Sequence, residues 1–576
     1  MGIAALHNLR GLVLPADPES RQAAFTPGRD FTEQVEESGI SAQLDWDLDN
    51  GMEFTSITAY RDWDALRDQD VDFSGIDRAY RDDYAVGFEN FTQEFRLHGQ
   101  HGRLDWLLGA FYGSETTNLT DTIRFGADAA AYIDLLAVGA QLAAGVPPGS
   151  VTSIYGTAVT PFPAADALFA LTAPVPGEGQ LDTYEVETTT MALFTHNEIS
   201  LSDQLTLTVG VRYNQDEKDF SADISNIDLS PLPSSCQALQ ASLLAGSPPY
   251  ANILALGPLL PLICSPAVNE QAVGAYNDTS EDNEFNGILS LAYDFTPDLM
   301  GYVSYSRGYK AGGYNLDRLG FNYALTGGPP ITLPGTPPRQ LDSTPDPTVE
   351  PSANDLQFDP EFVDAYEVGA KWTTWNGALT LNAAAFYEQI TDYQNNAFTG
   401  FNFQTFNVPD TVSAGVELEW TARLTDQFTW QGGVLYNDAY IDSTVVLPGE
   451  TITAGTPLDR APDWTFTSAL TYEQPISDNL VALFYVDGRW EGEQRLQVLG
   501  RDPRTDQESY ALFNARVGIG PTDQRWSVEA FVDNLADEYY NLGAFAVPEQ
   551  TSDGVGVYAV YPGQPRTWGV TVRARY

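Results

Sequence analysis

The sequence predicts an all-β protein: a transmembrane antiparallel β-barrel carrying long loops with minor helices. Three observations predict it. Hydrophobicity alternates with period two over about seventeen segments, most of them longer than a soluble strand of roughly five to six residues. Tight turns alternate strictly with long connections. The chain also ends on an alternating segment whose last residue, Tyr576, is aromatic.

The alternation is clearest near the C-terminus. Trp568, Val570, Val572, Ala574 and Tyr576 share one face, and Thr567, Gly569, Thr571, Arg573 and Arg575 share the other. Leu205, Leu207, Val209, Val211 and Tyr213 alternate in the same way with Thr206, Thr208, Gly210, Arg212 and Asn214. Strands are expected at 39–48, 52–64, 87–99, 103–121, 184–200, 205–222, 281–295, 299–309, 362–374, 378–392, 404–423, 427–440, 463–474, 479–490, 509–520, 524–535 and 566–576. Such lengths suit tilted strands that need about 9–11 residues to cross a bilayer.

Eight tight turns join these strands in pairs, among them Asp49-Asn50-Gly51, Trp375-Asn376-Gly377 and Pro521-Thr522-Asp523. Between the pairs run long connections at 122–183, 223–280, 310–361, 441–462 and 536–565. Short turns on one side and long loops on the other is the layout of an outer-membrane barrel. Eight hairpins and one final strand make seventeen. Single-chain bacterial barrels have even strand numbers, so strands are expected to be missing at the N-terminal side. Residues 1–38 read as an irregular segment and 39–576 as the barrel. Two Ala-rich stretches, 127–144 and 163–172, read as small helices in the longest loop, placed as a lid over the barrel mouth.

Composition narrows the function. Lys plus Arg number 28 and Asp plus Glu 79, a formal net charge of −51, which repels a phosphate backbone and argues against nucleic-acid binding. With 43% hydrophobic and 12% aromatic residues the chain is too apolar for an acidic disordered tail. Four histidines and two cysteines leave no zinc ribbon or CxxC site. No 18-residue apolar run exists for a transmembrane helix, and the N-terminus does not read as a signal peptide. The competing soluble reading, a β-propeller, requires a fixed repeat of about 40–50 residues, and the loops here vary too widely for one. No GxSxG, HExxH or Walker sequence occurs. The expectation is therefore no enzyme, no cofactor and no metal site. Asp68, Asp70, Asp72, Ser74 and Gly75 present alternating oxygen ligands, but Phe73 and Ala79 stand where an EF-hand loop needs Gly and Glu. That stretch reads as a solvated acidic loop.

Several motifs carry a resemblance. Tyr302 to Asn315 reads YVSYSRGYKAGGYN. Asp359-Pro360-Glu361 precedes Tyr366-Glu367-Val368-Gly369-Ala370-Lys371. Trp526 to Leu535 precedes Tyr539-Tyr540, and Gly563 to Gly569 reads GQPRTWG. Together with Val209 to Asp219 they resemble the barrel of TonB-dependent outer-membrane receptors over most of residues 39–576. The resemblance implies a barrel of twenty-two strands, of which these seventeen are the C-terminal part, and a globular plug that nothing ahead of residue 39 matches. It implies outer-membrane lipid, the inner-membrane TonB protein (through the plug) and a ferric-siderophore-type ligand as partners, with long loops extracellular and the C-terminus periplasmic. Oligosaccharide or cobalamin uptake and a plugless porin-like or non-functional barrel are the alternatives. The motif residues themselves read as structural. Gly308, Gly312 and Gly313 are expected to take unusual backbone angles, Asn534 and Asp537 to cap a strand end, and Glu361, Glu367 and Lys371 to suit lumenal ladders or loop bases.

Two candidate sites follow. Cys236 and Cys264 share one exterior loop, where oxidation to a disulfide is expected and two free thiols are the alternative. Aromatic residues crowd loops that usually avoid them. Tyr309, Tyr314, Phe321 and Tyr323 lie in one loop, Phe398, Phe401, Phe403 and Phe406 in the next, and Tyr539, Tyr540, Phe545, Tyr558 and Tyr561 in the last. They suggest an outer vestibule that stacks on a bulky ligand, with Arg307, Lys310 and Arg318 meeting an anionic ferric chelate. Loops packing on one another is the alternative. The expected ligand contacts are Arg307, Tyr309, Lys310, Tyr314, Arg318, Phe398, Phe401 and Phe403.

Overall fold

The computed structural model describes residues 18–48, 51–143, 145, 147, 174–227, 273–318, 352–398, 403–447, 450–497, 502–552 and 555–575. Cys236, Cys264, Phe321, Tyr323, Phe401 and the expected helix 163–172 lie outside the described residues, as does the side chain of Phe398.

Seventeen long strands form one antiparallel meander, each paired with the next in sequence. They are β1 (Glu33–Leu48), β2 (Met52–Asp70), β3 (Ala79–His101), β4 (Leu104–Phe125), β5 (Gly179–Ser200), β6 (Leu205–Ile227), β7 (Gly274–Thr296), β8 (Leu299–Lys310), β9 (Glu361–Thr374), β10 (Leu379–Phe398), β11 (Phe403–Arg423), β12 (Phe428–Ile441), β13 (Trp464–Ser477), β14 (Leu480–Glu491), β15 (Tyr510–Pro521), β16 (Trp526–Asp533) and β17 (Thr567–Ala574). All seventeen coincide with the expected segments. Several are longer than expected, and the surplus lies at the loop end: β1 begins at Glu33, β2 runs to Asp70, and β3 begins at Ala79. Polar residues dominate these ends, so the backbone ladder continues after the apolar alternation has ended.

Among the described residues β1 pairs only with β2 and β17 only with β16. The segment ahead of β1 brings the two ends of the sheet together. Arg21 binds Asp537 in the loop after β16 at 3.0 Å. The Thr26 backbone N–H and hydroxyl both donate to Asp70 at the end of β2.

The ladders assign every side chain to a face. Leu193 of β5 lies opposite Tyr213 of β6, which lies opposite Phe285 of β7. Val303 of β8 lies opposite Leu291 and Val368. Leu193, Phe285, Leu291, Val303 and Val368 are large, apolar and exposed, so theirs is the lipid-facing side. Aromatic rings edge the band at both ends, as with Phe285 and Tyr293 on β7 or Tyr436 and Trp430 on β12. The eight residue steps from Phe285 to Tyr293 span about 26 Å along the strand, or about 20 Å across a membrane once tilted. The opposite face carries Glu367, Lys371, Asn382, Glu417, Asp487, Arg489, Asn514 and Arg516, and forms a polar lumen.

The helix expected at 127–144 is present as α1 (Ala129–Ala143). Its Tyr132 and Leu135 pack on Ile76 of the β2–β3 loop. Gly308, Gly312 and Gly313 do not take the unusual angles expected of them. They supply space: a Cβ on Gly312 would come within 2.6 Å of the Phe358 carbonyl oxygen, and one on Gly313 within 2.8 Å of the Phe358 ring.

The face assignment is testable at neighbouring positions. Val303→Arg on the lipid side should destabilise the barrel by about 2–4 kcal/mol, whereas Ser304→Arg, pointing into the lumen, should cost under about 1 kcal/mol. Urea unfolding in lipid vesicles measures both.

Candidate ligand vestibule

The described residues of the connection between β8 and β9, 311–318 and 352–360, turn into the lumen and build a small core there. Tyr314, Leu316, Ala353 and Leu356 pack on Leu119 of β4, Tyr184 of β5 and Phe220, Ala222 and Ile224 of β6. All of these wall residues face inward. Gly313–Tyr314 pairs with Gln357–Phe358 in a short antiparallel ladder. Asn315 bonds the backbone of Leu356 and of Thr405 on β11, which fixes the loop to the far wall.

Two of the expected ligand contacts are used up in this core. The Tyr314 ring stacks on Phe220 with centroids 4.6 Å apart, and its hydroxyl donates to Asp278 at 3.0 Å. Burial and the adjacent carboxylate push that hydroxyl up to about 12, so it stays protonated. Arg318 is fully buried. Its guanidinium grips the buried Asp182 carboxylate and also donates to the Asn226 side chain at 2.8 Å and to the Ser225 carbonyl. It pins the loop to the tops of β5 and β6.

Arg307 and Tyr309 are on the other side of the wall. They share the face of Val303 and Tyr305, at the loop-side edge of the lipid band. Arg307 donates to Asp364 at 2.8 Å and lies over Phe362, and Tyr309 stacks on the same ring. Strand parity separates them from Lys310, which is exposed, faces inward and lies opposite Glu361.

Of the aromatic residues expected to contact ligand, Phe403 is the one whose side chain is described at the mouth. The loop before β17 forms a hairpin, Asn541–Ser552 with Val555–Pro562. Its Phe545 is buried against Phe73 of the β2–β3 loop (4.8 Å), Phe403 at the start of β11 (6.4 Å) and Tyr561 (5.7 Å). The β2–β3 and β10–β11 connections are eight strands apart, roughly 38 Å along the wall. One side chain touching both must reach across the opening. Phe403 and Tyr561 remain about half exposed. Phe73, at φ 56°, holds a left-handed conformation that is costly for an aromatic residue. Phe73 was not foreseen, although a lone large apolar residue in an acidic loop was a usable signal.

The acidic stretch 68–75 is structural. Asp72 accepts from the Arg78 and Ala79 backbone N–H groups and the Ser74 hydroxyl. Asp68 accepts from the Thr32 hydroxyl and the Asp83 N–H. Among the described residues no group of His, Cys, Asp and Glu could hold a metal ion. Asn534 and Asp537 cap as expected: Asn534 brackets both backbone groups of Glu538, and Asp537 accepts from the Arg566 N–H.

The family model described as TonB dependent receptor-like, beta-barrel matches residues 6–535. The chain belongs to the TonB-dependent receptor family. It is an outer-membrane β-barrel. Over 270 residues it is 26% identical to the pesticin receptor of Yersinia pestis, a match covering 45% of this chain and 32% of that protein. The ferric yersiniabactin uptake receptor of Yersinia pestis superposes with a TM-score of 0.61 at 16% identity, over 96% of this chain and 63% of the other. A siderophore receptor of Acinetobacter baumannii gives 0.58 at 15% identity, over 94% and 64%. This receptor chain thus spans less than two thirds of the relatives it matches, and the structural likenesses show the fold.

Two predictions concern the receptor's rim. Asp182→Ala leaves Arg318 buried without its carboxylate, which costs about 3–5 kcal/mol. Residues 311–318 should then lose hydrogen-exchange protection while the wall strands keep theirs. Burial and the neighbouring Asp72 raise the Asp70 carboxyl to about 6. An acid whose folded-state pKa lies above its unfolded value destabilises the fold at high pH, and the penalty vanishes as pH falls through 6 toward 4. Asp70→Asn should therefore melt above the wild type at pH 8, and the gap should close by pH 4.

Proposed function

We propose that this barrel is the membrane-spanning portion of a receptor that takes up a bulky metal chelate, a ferric siderophore, with energy delivered by the TonB protein. The supporting observation is the mouth. Loops rooted on opposite walls meet at Phe73, Phe545 and Phe403 above a polar lumen. Half-exposed aromatic rings over a wide polar channel suit capture of one large planar or aromatic ligand and suit free diffusion of small solutes poorly. The relatives point the same way, since one is a ferric yersiniabactin uptake receptor and another a siderophore receptor. In this reading the long loops are extracellular, the tight turns and C-terminus periplasmic, and the ligand contacts are the exposed mouth residues Phe403, Tyr561 and Lys310. The neighbouring residues Phe398 and Phe401 belong to the same proposal. Tyr314, Arg318, Arg307 and Tyr309 hold the loop and the wall in place.

The test is uptake of iron-55 complexes by cells lacking their own siderophore receptors and expressing the full-length protein. Tyr561→Ala and Phe403→Ala should each weaken apparent affinity about 5- to 30-fold, the equivalent of about 1–2 kcal/mol of lost stacking and burial. Unchanged uptake in both variants would rule the mouth out as the binding surface.

A further inference from the structure

We propose that the outer wall of the barrel holds one zwitterionic aminophospholipid, with an acyl chain in a groove across β7–β10 and its headgroup on the Arg307–Asp364 pair. The proposal is independent of what the barrel takes up.

The groove lies on the lipid-facing side and has a volume of about 620 Å³. It exists because one side chain there is small. Ala385 of β10 lies between Val368 of β9 and Val416 of β11 in the ladders, and a lone methyl group among branched neighbours leaves the wall hollow. Val303 and Val368 share the floor with Ala385, Leu289 and Leu291 of β7 line one side, and Tyr387 of β10 lines the other. The side chains that face the groove are aliphatic or aromatic. It is continuous with the exposed apolar band, so hydrocarbon chains are what reach it, and it offers one of them more contact than the flat wall does.

The loop-side end of the groove carries polar groups. Tyr305 and Tyr366 line the groove and pack on each other with centroids 5.1 Å apart. The Tyr305 hydroxyl donates to one oxygen of Asp364 at 2.7 Å, and Arg307 donates to the other at 2.8 Å. The ion pair is reachable from the membrane edge, with the two side chains 42% and 27% exposed. It is also unsaturated. The guanidinium keeps further N–H donors beyond this bond, and each carboxylate oxygen keeps a second lone pair.

A cation and an anion therefore stand side by side at the head of an apolar groove. A phosphate with a tethered ammonium is their complement. The phosphate oxygens accept from Arg307, and the ammonium donates to Asp364. The exposed ring of Tyr366 adds attraction for the ammonium through its face. A lipid with a phosphate and no amine meets Arg307 but is repelled by the adjacent Asp364.

The experiment uses the full-length receptor, stripped of lipid in detergent and followed by native mass spectrometry. Phosphatidylethanolamine and phosphatidylglycerol with identical acyl chains are added at equal concentration. The expected result is one retained phosphatidylethanolamine per barrel, held about fivefold over phosphatidylglycerol, the size of one cation–π contact with a charge-assisted hydrogen bond. Asp364→Asn should bring the two lipids level. Ala385→Trp, which fills the groove, should abolish retention, and both variants should keep heat-modifiable migration. Equal retention of the two lipids by the wild type overturns the headgroup assignment without recourse to a variant. Unchanged retention in Ala385→Trp overturns the groove. Displacement of phosphatidylethanolamine by an equal concentration of a phosphorylated glycolipid overturns the choice of lipid.

Discussion

A lipid bilayer offers no water to a peptide group, and nearly every feature of this chain depends on that constraint. Each N–H and C=O within the hydrocarbon must be paired by the protein itself, which leaves helices or laddered strands. No described helix is long and apolar enough to cross a membrane; the family and the exposed apolar band assign the crossing to the strands. The requirement sets their length, forces neighbours to be antiparallel hairpins, and sends alternate side chains to lipid and to the lumen. It also explains why the loops are irregular only beyond the aromatic edges of the band, where water again satisfies the backbone.

Above the membrane a different problem dominates. A chain of net charge −51 must hold its loops together while its carboxylates repel one another. It does so by placing arginines among the acids of the rim. Arg81 on Asp121 and Arg318 on Asp182 join elements far apart in sequence, and both acids are almost completely buried. Isolated surface pairs contribute little, but a buried guanidinium with four acceptor contacts fixes one loop geometry and excludes others. The inward turn of the β8–β9 connection, the stacking of Tyr314 on Phe220 and the reach of Asn315 to β11 all follow from that anchoring.

The wall was almost wholly legible in the sequence. Period-two alternation is imposed residue by residue by lipid on one side and water on the other, so all seventeen strands and eight tight turns could be placed without coordinates. The ends of the strands were less legible: at Glu33–Ser38 every side chain is exposed, and at the end of β2 the inward Asp70 is polar and buried, so the apolar alternation carries no information there. The site was legible in composition and not in geometry. The crowding of aromatics in the loops was evident, yet Arg307 and Lys310, three residues apart, point to opposite sides of the wall, and Tyr314 and Arg318 are buried rather than offered to a ligand. Nothing local distinguishes an arginine that will meet Asp182, 136 residues away, from one that will stay free. Sequence determined the barrel because solvent acts on each side chain separately. Only the tertiary structure decided the mouth, because contacts such as Phe73 with Phe545 exist only after distant loops have been brought to the same rim.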